Sequence, residues 1–140
     1  MVKSGGVLEQ ETLDEELPKC EELGVGVIIG GAFNSGILAT GSVEGAKYNY
    51  KDAGPGVMDR VRRIEQVCQR HGVPLAAAAL QFPLGHPSVA SVIPGAFQPE
   101  HVATSVDAFR HSIPAPFWTD LKAEGLLRKD APTPGQDGRI

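Results

Sequence analysis

The 140-residue sequence has few of the features that announce a simple function. It contains only two cysteines, Cys20 and Cys68, far apart and with no CxxC. That spacing argues against a disulfide and a cysteine-based metal site, so both cysteines are expected as buried thiols on apolar helix stripes. No basic run is present, and the net charge of −4 argues against a nucleic-acid surface. The longest apolar stretches, 25–29 and 75–80, fall far short of a membrane span. No charged-then-apolar start suggests a signal peptide, which makes the cytoplasm the expected compartment. The four histidines show neither HxxxH nor HExxH spacing, which leaves no expected metal site. No GxSxG and no dinucleotide fingerprint GxGxxG appears. Length sets a further limit, because a complete (β/α)₈ barrel typically needs about 250 residues.

What is present is alternation. Hydrophobic residues make up 41% of the chain and charged residues 21%, ordinary values for a globular core. Residues 1–10 have no period and are expected as a loose leader. Thr12-Leu13-Asp14-Glu15 fits a capping box, with Leu13, Leu17 and Cys20 following at helical spacing, Pro18 kinking or shortening the helix, and Gly24 ending it. Val25 to Ile29 is a short apolar run that suits a strand buried on both faces. The segment 40–54 reads as a long polar loop. Pro55 opens the strongest helix, with Val57, Val61, Ile64 and Cys68 on one face and Gly72 at its end. Pro74 opens a second, apolar nearly all round. Val89 to Ile93 is a second buried strand, and Gln98-Pro99 starts a helix with Val102, Val106 and Phe109 as its apolar face. Pro116 opens a last helix, and the tail 128–140, rich in Pro and Gly, is expected to be disordered. Alternating helices and short apolar strands indicate an α/β fold with parallel strands. Two strands alone do not make a stable parallel sheet.

Two loops could carry chemistry. The glycine-rich loop after the first strand, Gly30 to Gly36, has exposed amides of the kind that cradle phosphate, although a plain strand-exit loop has the same composition. The loop Ile93 to Pro99 runs into a helix N-terminus, where free amides and the dipole favour an anion. Lys47, Tyr48, Tyr50 and Lys51 cluster in the long loop. A Tyr/Lys pair can do acid–base work, but a polar loop rich in these types explains the cluster better.

The segments Gly24 to Leu38, Leu75 to Phe82 and Val89 to Ala96 resemble the seventh strand with its loop, the seventh helix and the eighth strand of the aldo-keto reductases. The branch of aldose and pyridoxal dehydrogenases is the nearest in pattern. The likeness runs from about Leu8 to Leu127, with 11–127 as the partial barrel. It implies the C-terminal part of a (β/α)₈ TIM barrel, an incomplete barrel with two main parallel strands and flanking helices. It also implies a nicotinamide dinucleotide as cofactor and a small sugar or aldehyde as the substrate of the full-length family. Gly31, Phe33, Ser35 and Ile37 would occupy the pyrophosphate-side loop; Gly95, Ala96, Phe97, His101 and Ser105 would line the adenosine end.

Departures from the family pattern sharpen these expectations. Where many members carry Lys-Ser, an Arg and a Glu-Asn pair, this chain has Gly95-Ala96, His101 and Thr104-Ser105. No Lys or Arg stands between Pro94 and Val106, and a 2′-phosphate needs a fixed cation, so NAD is expected over NADP. The family's catalytic Asp, Tyr, Lys and His come from earlier strands, and Tyr48 and Lys51 do not align with them. No catalytic residue is therefore expected, the chain is read as a truncated or split frame, and it is expected to be inactive alone. Two alternatives remain: a half-barrel remnant that binds a nucleotide weakly or self-associates through open strand edges, and complementation by a separate N-terminal fragment.

Overall fold

A computed structural model describes residue 1 and residues 5–135. The helices are α1 (Glu16–Glu22), α2 (Ile37–Thr40), α3 (Pro55–His71), α4 (Leu75–Gln81), α5 (Pro99–Arg110) and α6 (Ala115–Ala123). The strands are β1 (Val27–Gly30), β2 (Lys47–Tyr48), β3 (Lys51–Asp52) and β4 (Val89–Ile93). Strands β1 and β4 pair in parallel, as expected for this α/β alternation, and β2 and β3 form a separate antiparallel pair. The long connection from β1 to β4 is the crossover that parallel pairing requires.

The capping box at Thr12 does not form. Residues Glu11–Leu13 make a 3₁₀ turn, and α1 starts only at Glu16 with no side-chain cap. Pro18 explains the late start: in the first turn of a helix its missing N–H costs nothing, whereas deeper in it would break a hydrogen bond. The strand expected at Val25 is shifted to Val27–Gly30, and it is not buried on both faces. Val27 and Ile29 pack against Leu17 and Val89, while Ile28 points away and is 40% exposed. The helices cover one side of the two-stranded sheet only.

Helix α3 follows the sequence closely. Pro55 is its first residue, and Gly72 closes it in the left-handed region at φ 64°, its N–H reaching the Cys68 carbonyl. Val61, Ile64, Val67 and Cys68 enter the main core with Ile37, Leu38, Ala77, Ala78, Phe117 and Leu121. Burial pushes the Cys68 thiol up to about 12. Helix α4 is buried from Ala77 to Gln81, as an all-apolar helix should be.

The polar segment 40–54 holds a two-residue hairpin. Asn49 and Tyr50 both have positive φ, the signature of a type I′ turn, which suits the twist of the flanking strands. Both ends expected to be loose are packed in part; Met1, Lys129 and Asp130 are exposed, and residues 2–4 lie outside the described residues. Val7 and Leu8 are buried, and the Gln10 side chain donates to the carbonyls of Val7 (2.8 Å) and Leu126 (3.3 Å) and accepts from the Arg128 amide (2.9 Å). Ala131 and Thr133 are buried too; residues 136–140 of the expected disordered tail lie outside the described residues.

His86 is buried beside the start of β4. Its Nδ1 accepts the Ser88 amide at 3.2 Å, and the Ser88 hydroxyl donates to the Leu17 carbonyl at 3.0 Å. Burial holds the imidazole below its ordinary value, and Glu21 opposes the shift. The unfolded chain therefore takes up this proton first, so stability falls as pH drops below about 6.5 and continues to fall toward the folded value. Urea unfolding at pH 7.5 and 5.8 should show the loss, and His86→Gln should remove most of the difference. An unchanged difference in the variant would assign the pH effect elsewhere.

Candidate functional site

The parallel register fixes the candidate site. Gly30 stands opposite Ile93 at the ends of β1 and β4, so loops 31–36 and 94–98 leave the same end of the sheet as neighbours. Paired strands lie about 4.8 Å apart, which sets the separation of the two loop starts.

In the first loop, Gly31 (φ 71°), Asn34 (φ 46°), Ser35 (φ 64°) and Gly36 (φ 108°) all adopt the left-handed region. Two amides of this loop are used within it: the Asn34 N–H donates to the Gly31 carbonyl at 2.9 Å and the Gly36 N–H to the Phe33 carbonyl at 3.0 Å. Gly31 and Ser35 are exposed, Phe33 is half-buried, and Ile37 is fully buried in the core. Of the four residues expected here, Ile37 can thus offer backbone but no side-chain contact. The Ser35 hydroxyl accepts the Tyr50 amide at 2.9 Å, which ties the β2–β3 hairpin to the loop. The hairpin is anchored again at Glu9, whose carboxylate accepts from the Tyr48 hydroxyl (3.0 Å) and the Asn49 side-chain Nδ2 (2.7 Å). Burial and the Glu9 hydrogen bond raise the Tyr48 hydroxyl above its ordinary value, which suits a structural donor rather than a general acid. Lys47 pairs with Asp52 instead of with a tyrosine. The sequence reading missed this strap; its one local signal was Asn49, a residue that tolerates a positive φ.

In the second loop, Gly95, Ala96 and Phe97 are exposed, Phe97 at 90%. A side chain built on Gly95 would meet nothing within 4 Å, so a ligand can approach its backbone closely. The Phe97 ring stands edge-on to His101, with centroids 5.3 Å apart. Ser105 is buried one turn further along α5 and faces the protein rather than the loop. Glu100 sits in the first turn of α5 and already places negative charge at its N-terminus. The residues present fit a dinucleotide in part. They offer accessible amides, a glycine cradle and an exposed aromatic ring, but no cation. Among the described residues no group of three or more His, Cys, Asp or Glu side chains could hold a metal ion. No described helix is long and apolar enough to cross a membrane.

Residues 8–124 match the aldo/keto reductase family. The chain belongs to that family. It is 42% identical over 121 residues to a pyridoxal 4-dehydrogenase from Microbacterium luteolum, covering 86% of this chain and 35% of that protein. It is 36% identical over 129 residues to a D-threo-aldose 1-dehydrogenase from a Pseudomonas species, covering 91% of this chain and 38% of that protein. The chain thus spans little more than a third of the length of these relatives. An aldo-keto reductase from Bacillus halodurans, solved in holo and apo forms, shares the fold at 24% identity, with TM-scores of 0.64 and 0.65. It is matched over 94% of this chain and 42% or 43% of its own. The fold of this aldo/keto reductase chain is therefore an incomplete TIM barrel with two parallel strands.

Proposed function

We propose that the chain is the cofactor-side portion of an NAD-dependent aldo/keto reductase, spanning residues 11–127, which acts on aldoses or related aldehydes and alcohols. What carries the reading is the register that sets the two glycine-bearing loops side by side at the carboxyl ends of β1 and β4. In (β/α)₈ enzymes that face bears the active site, and phosphate groups favour the loops after the last strands. The dinucleotide supplies the hydride chemistry. The chain's own residues bind and orient it: the amides of Gly31 and Ser35 toward the pyrophosphate, and Gly95, Ala96, Phe97 and His101 along the adenosine end.

The electrostatics favour NAD. From Pro94 to Val106 there is no Lys or Arg, and Glu100 stands at the helix start where a 2′-phosphate would need a cation. No described side-chain pair forms the acid–base partnership that carbonyl reduction needs. Tyr48 is bonded to Glu9, and Lys51 is exposed on the hairpin. The 140-residue chain by itself is therefore assigned binding without turnover, in the cytoplasm.

Calorimetric titration tests the reading. NAD should bind weakly and at least tenfold more tightly than NADP, and Gly95→Asp should weaken NAD further. Tighter binding of NADP, or turnover of an aldose by the chain alone, would overturn the corresponding part.

A further inference from the structure

The β2–β3 hairpin is poorly equipped to hold its own shape. Each strand has two residues, and so short an antiparallel pair is marginal by itself. Its turn needs positive φ at both central positions, where Asn-Gly is the favoured pair, yet Tyr50 stands in the second place at φ 66°. A bulky side chain in the left-handed region is strained, and such strain persists only where the surroundings hold it. The loop after β1 has the same difficulty, with Asn34 and Ser35 held at φ 46° and 64°. The two strained segments are joined, because the Tyr50 N–H donates to the Ser35 hydroxyl oxygen at 2.9 Å. The fastener lies outside both. A single oxygen, Glu9 Oε1, accepts from the Tyr48 hydroxyl (3.0 Å) and from Asn49 Nδ2 (2.7 Å), and so grips the two residues before Tyr50. Glu9 is itself presented from fixed backbone. Its carbonyl accepts the Gly5 N–H at 3.1 Å, Leu8 before it is buried, and the Gln10 side chain after it is tied to Val7, Leu126 and Arg128. Hydrogen bonds therefore connect the packed leader to the hairpin, and the hairpin to Ser35.

We propose that Glu9 is a positioning residue for the loop 31–36: by gripping Tyr48 and Asn49 it holds the hairpin tip against Ser35, and so keeps the loop in the conformation that receives the dinucleotide. The proposal rests on the cofactor reading above and adds a residue that acts on that site without touching the ligand. A ligand that needs one loop conformation binds more weakly in proportion to the time the loop spends in others. Loss of the Glu9 carboxylate lowers the fraction of time spent in the binding conformation while leaving every group of the loop in place. Because one oxygen takes both hydrogen bonds, the carbonyl oxygen of a glutamine can replace it. The acceptor atom is what the hairpin requires, and the negative charge is dispensable.

The test compares Glu9→Ala, Glu9→Gln and Tyr48→Phe in the 140-residue chain, by amide hydrogen exchange without ligand and by calorimetric titration of NAD. In Glu9→Ala the amides of Tyr50 and Gly36 should exchange about fivefold faster or more, and NAD affinity should fall by about the same factor. The amides of Val61 and Ile64 in α3 should change by less than about twofold, because global stability is not what the substitution alters. Glu9→Gln should stay within about twofold of wild type in both measurements. Tyr48→Phe removes one of the two donors and keeps the ring that packs on the core, so its effect should be intermediate. Added to Glu9→Ala it should change nothing further, as expected for two partners of one bond. Unchanged exchange at Tyr50 and Gly36 in Glu9→Ala would overturn the proposal. So would a Glu9→Gln variant that behaves like Glu9→Ala, or acceleration spread equally over α3, which would mark a general structural role. A wild-type chain that binds no NAD would overturn the cofactor reading instead, and the exchange pattern would still decide the role of Glu9.

Discussion

Phe117→Ala should lower the unfolding free energy by about 3–5 kcal/mol, the usual cost of emptying an aromatic site in a packed core. Phe117 is completely buried at the start of α6. Its ring packs edge-on against Trp118 at 4.9 Å and against His71 of α3 at 5.8 Å. His71 in turn contacts the Asp120 carboxylate at 2.8 Å, so the same ring supports a polar tie between α3 and α6. Two further bonds span this seam: Arg60 and Arg63 donate to the carbonyls of Leu126 and Glu124, at 2.9 and 2.8 Å. Removing the ring leaves a cavity that these long side chains cannot fill without abandoning their acceptors. Against a typical total stability of about 5–15 kcal/mol, the loss would leave a marginal fold. Urea unfolding measures it, with Phe109→Ala as the internal control. The same change at a half-exposed position should cost under about 1 kcal/mol. A loss below about 1 kcal/mol at Phe117 would mean the α3–α6 seam is not the centre of the core.

The second large effect is expected at Gln81→Glu. The Gln81 amide nitrogen is buried and donates to three carbonyls at the end of α5, at 2.9, 3.1 and 2.8 Å. The Ala108 carbonyl also accepts the His111 N–H at 3.3 Å, and these groups stand at the C-terminal end of the helix, the negative end of its dipole. An ionised glutamate accepts only, so the substitution would turn three attractions into three repulsions and bury an unpaired charge. About 3–5 kcal/mol should be lost at neutral pH. The sign with pH is definite. The buried carboxyl has a folded pKa above its unfolded value of about 4.3, so the penalty is smallest below that value and grows as pH rises through the folded pKa. Gln81→Met, which removes the donor without adding charge, should cost about 1–3 kcal/mol with no such pH dependence. Unfolding curves for both variants at pH 4.0 and 7.5, each set against wild type, decide the matter. A pH-independent deficit in Gln81→Glu would show that the side chain swings out to solvent.

Much of the architecture was legible because it rests on local chemistry. Pro55 and Gly72 bound α3 in the structure as in the sequence, since proline suits a first helical turn and glycine a left-handed stop. The run Val89 to Ile93 is β4 with the expected bounds, but not the buried strand expected: Val89 is buried, Val92 half-buried, and Ala90, Ser91 and Ile93 are exposed. Local reasoning failed where a partner distant in sequence decided the outcome. The leader looked structureless because it has no period, yet Gln10 fastens it to Leu126 and Arg128 more than a hundred positions away. The segment 40–54 looked like open loop because two-residue strands leave no periodic trace, and their hairpin is held by Glu9 and Ser35.

The candidate site divides along the same line. The sequence by itself determined the family pattern, the glycines of both loops, the missing cation between Pro94 and Val106 and the apolar stripe of α5. These are properties of residue type and spacing. Only the tertiary structure decided that Ile37 and Ser105 turn inward, that Ser35 is engaged by the hairpin, and that the Val102, Val106 and Phe109 stripe of α5 is left about half exposed. Spacing assigns a residue to a face of its own helix, but whether that face is buried depends on what other chain packs against it.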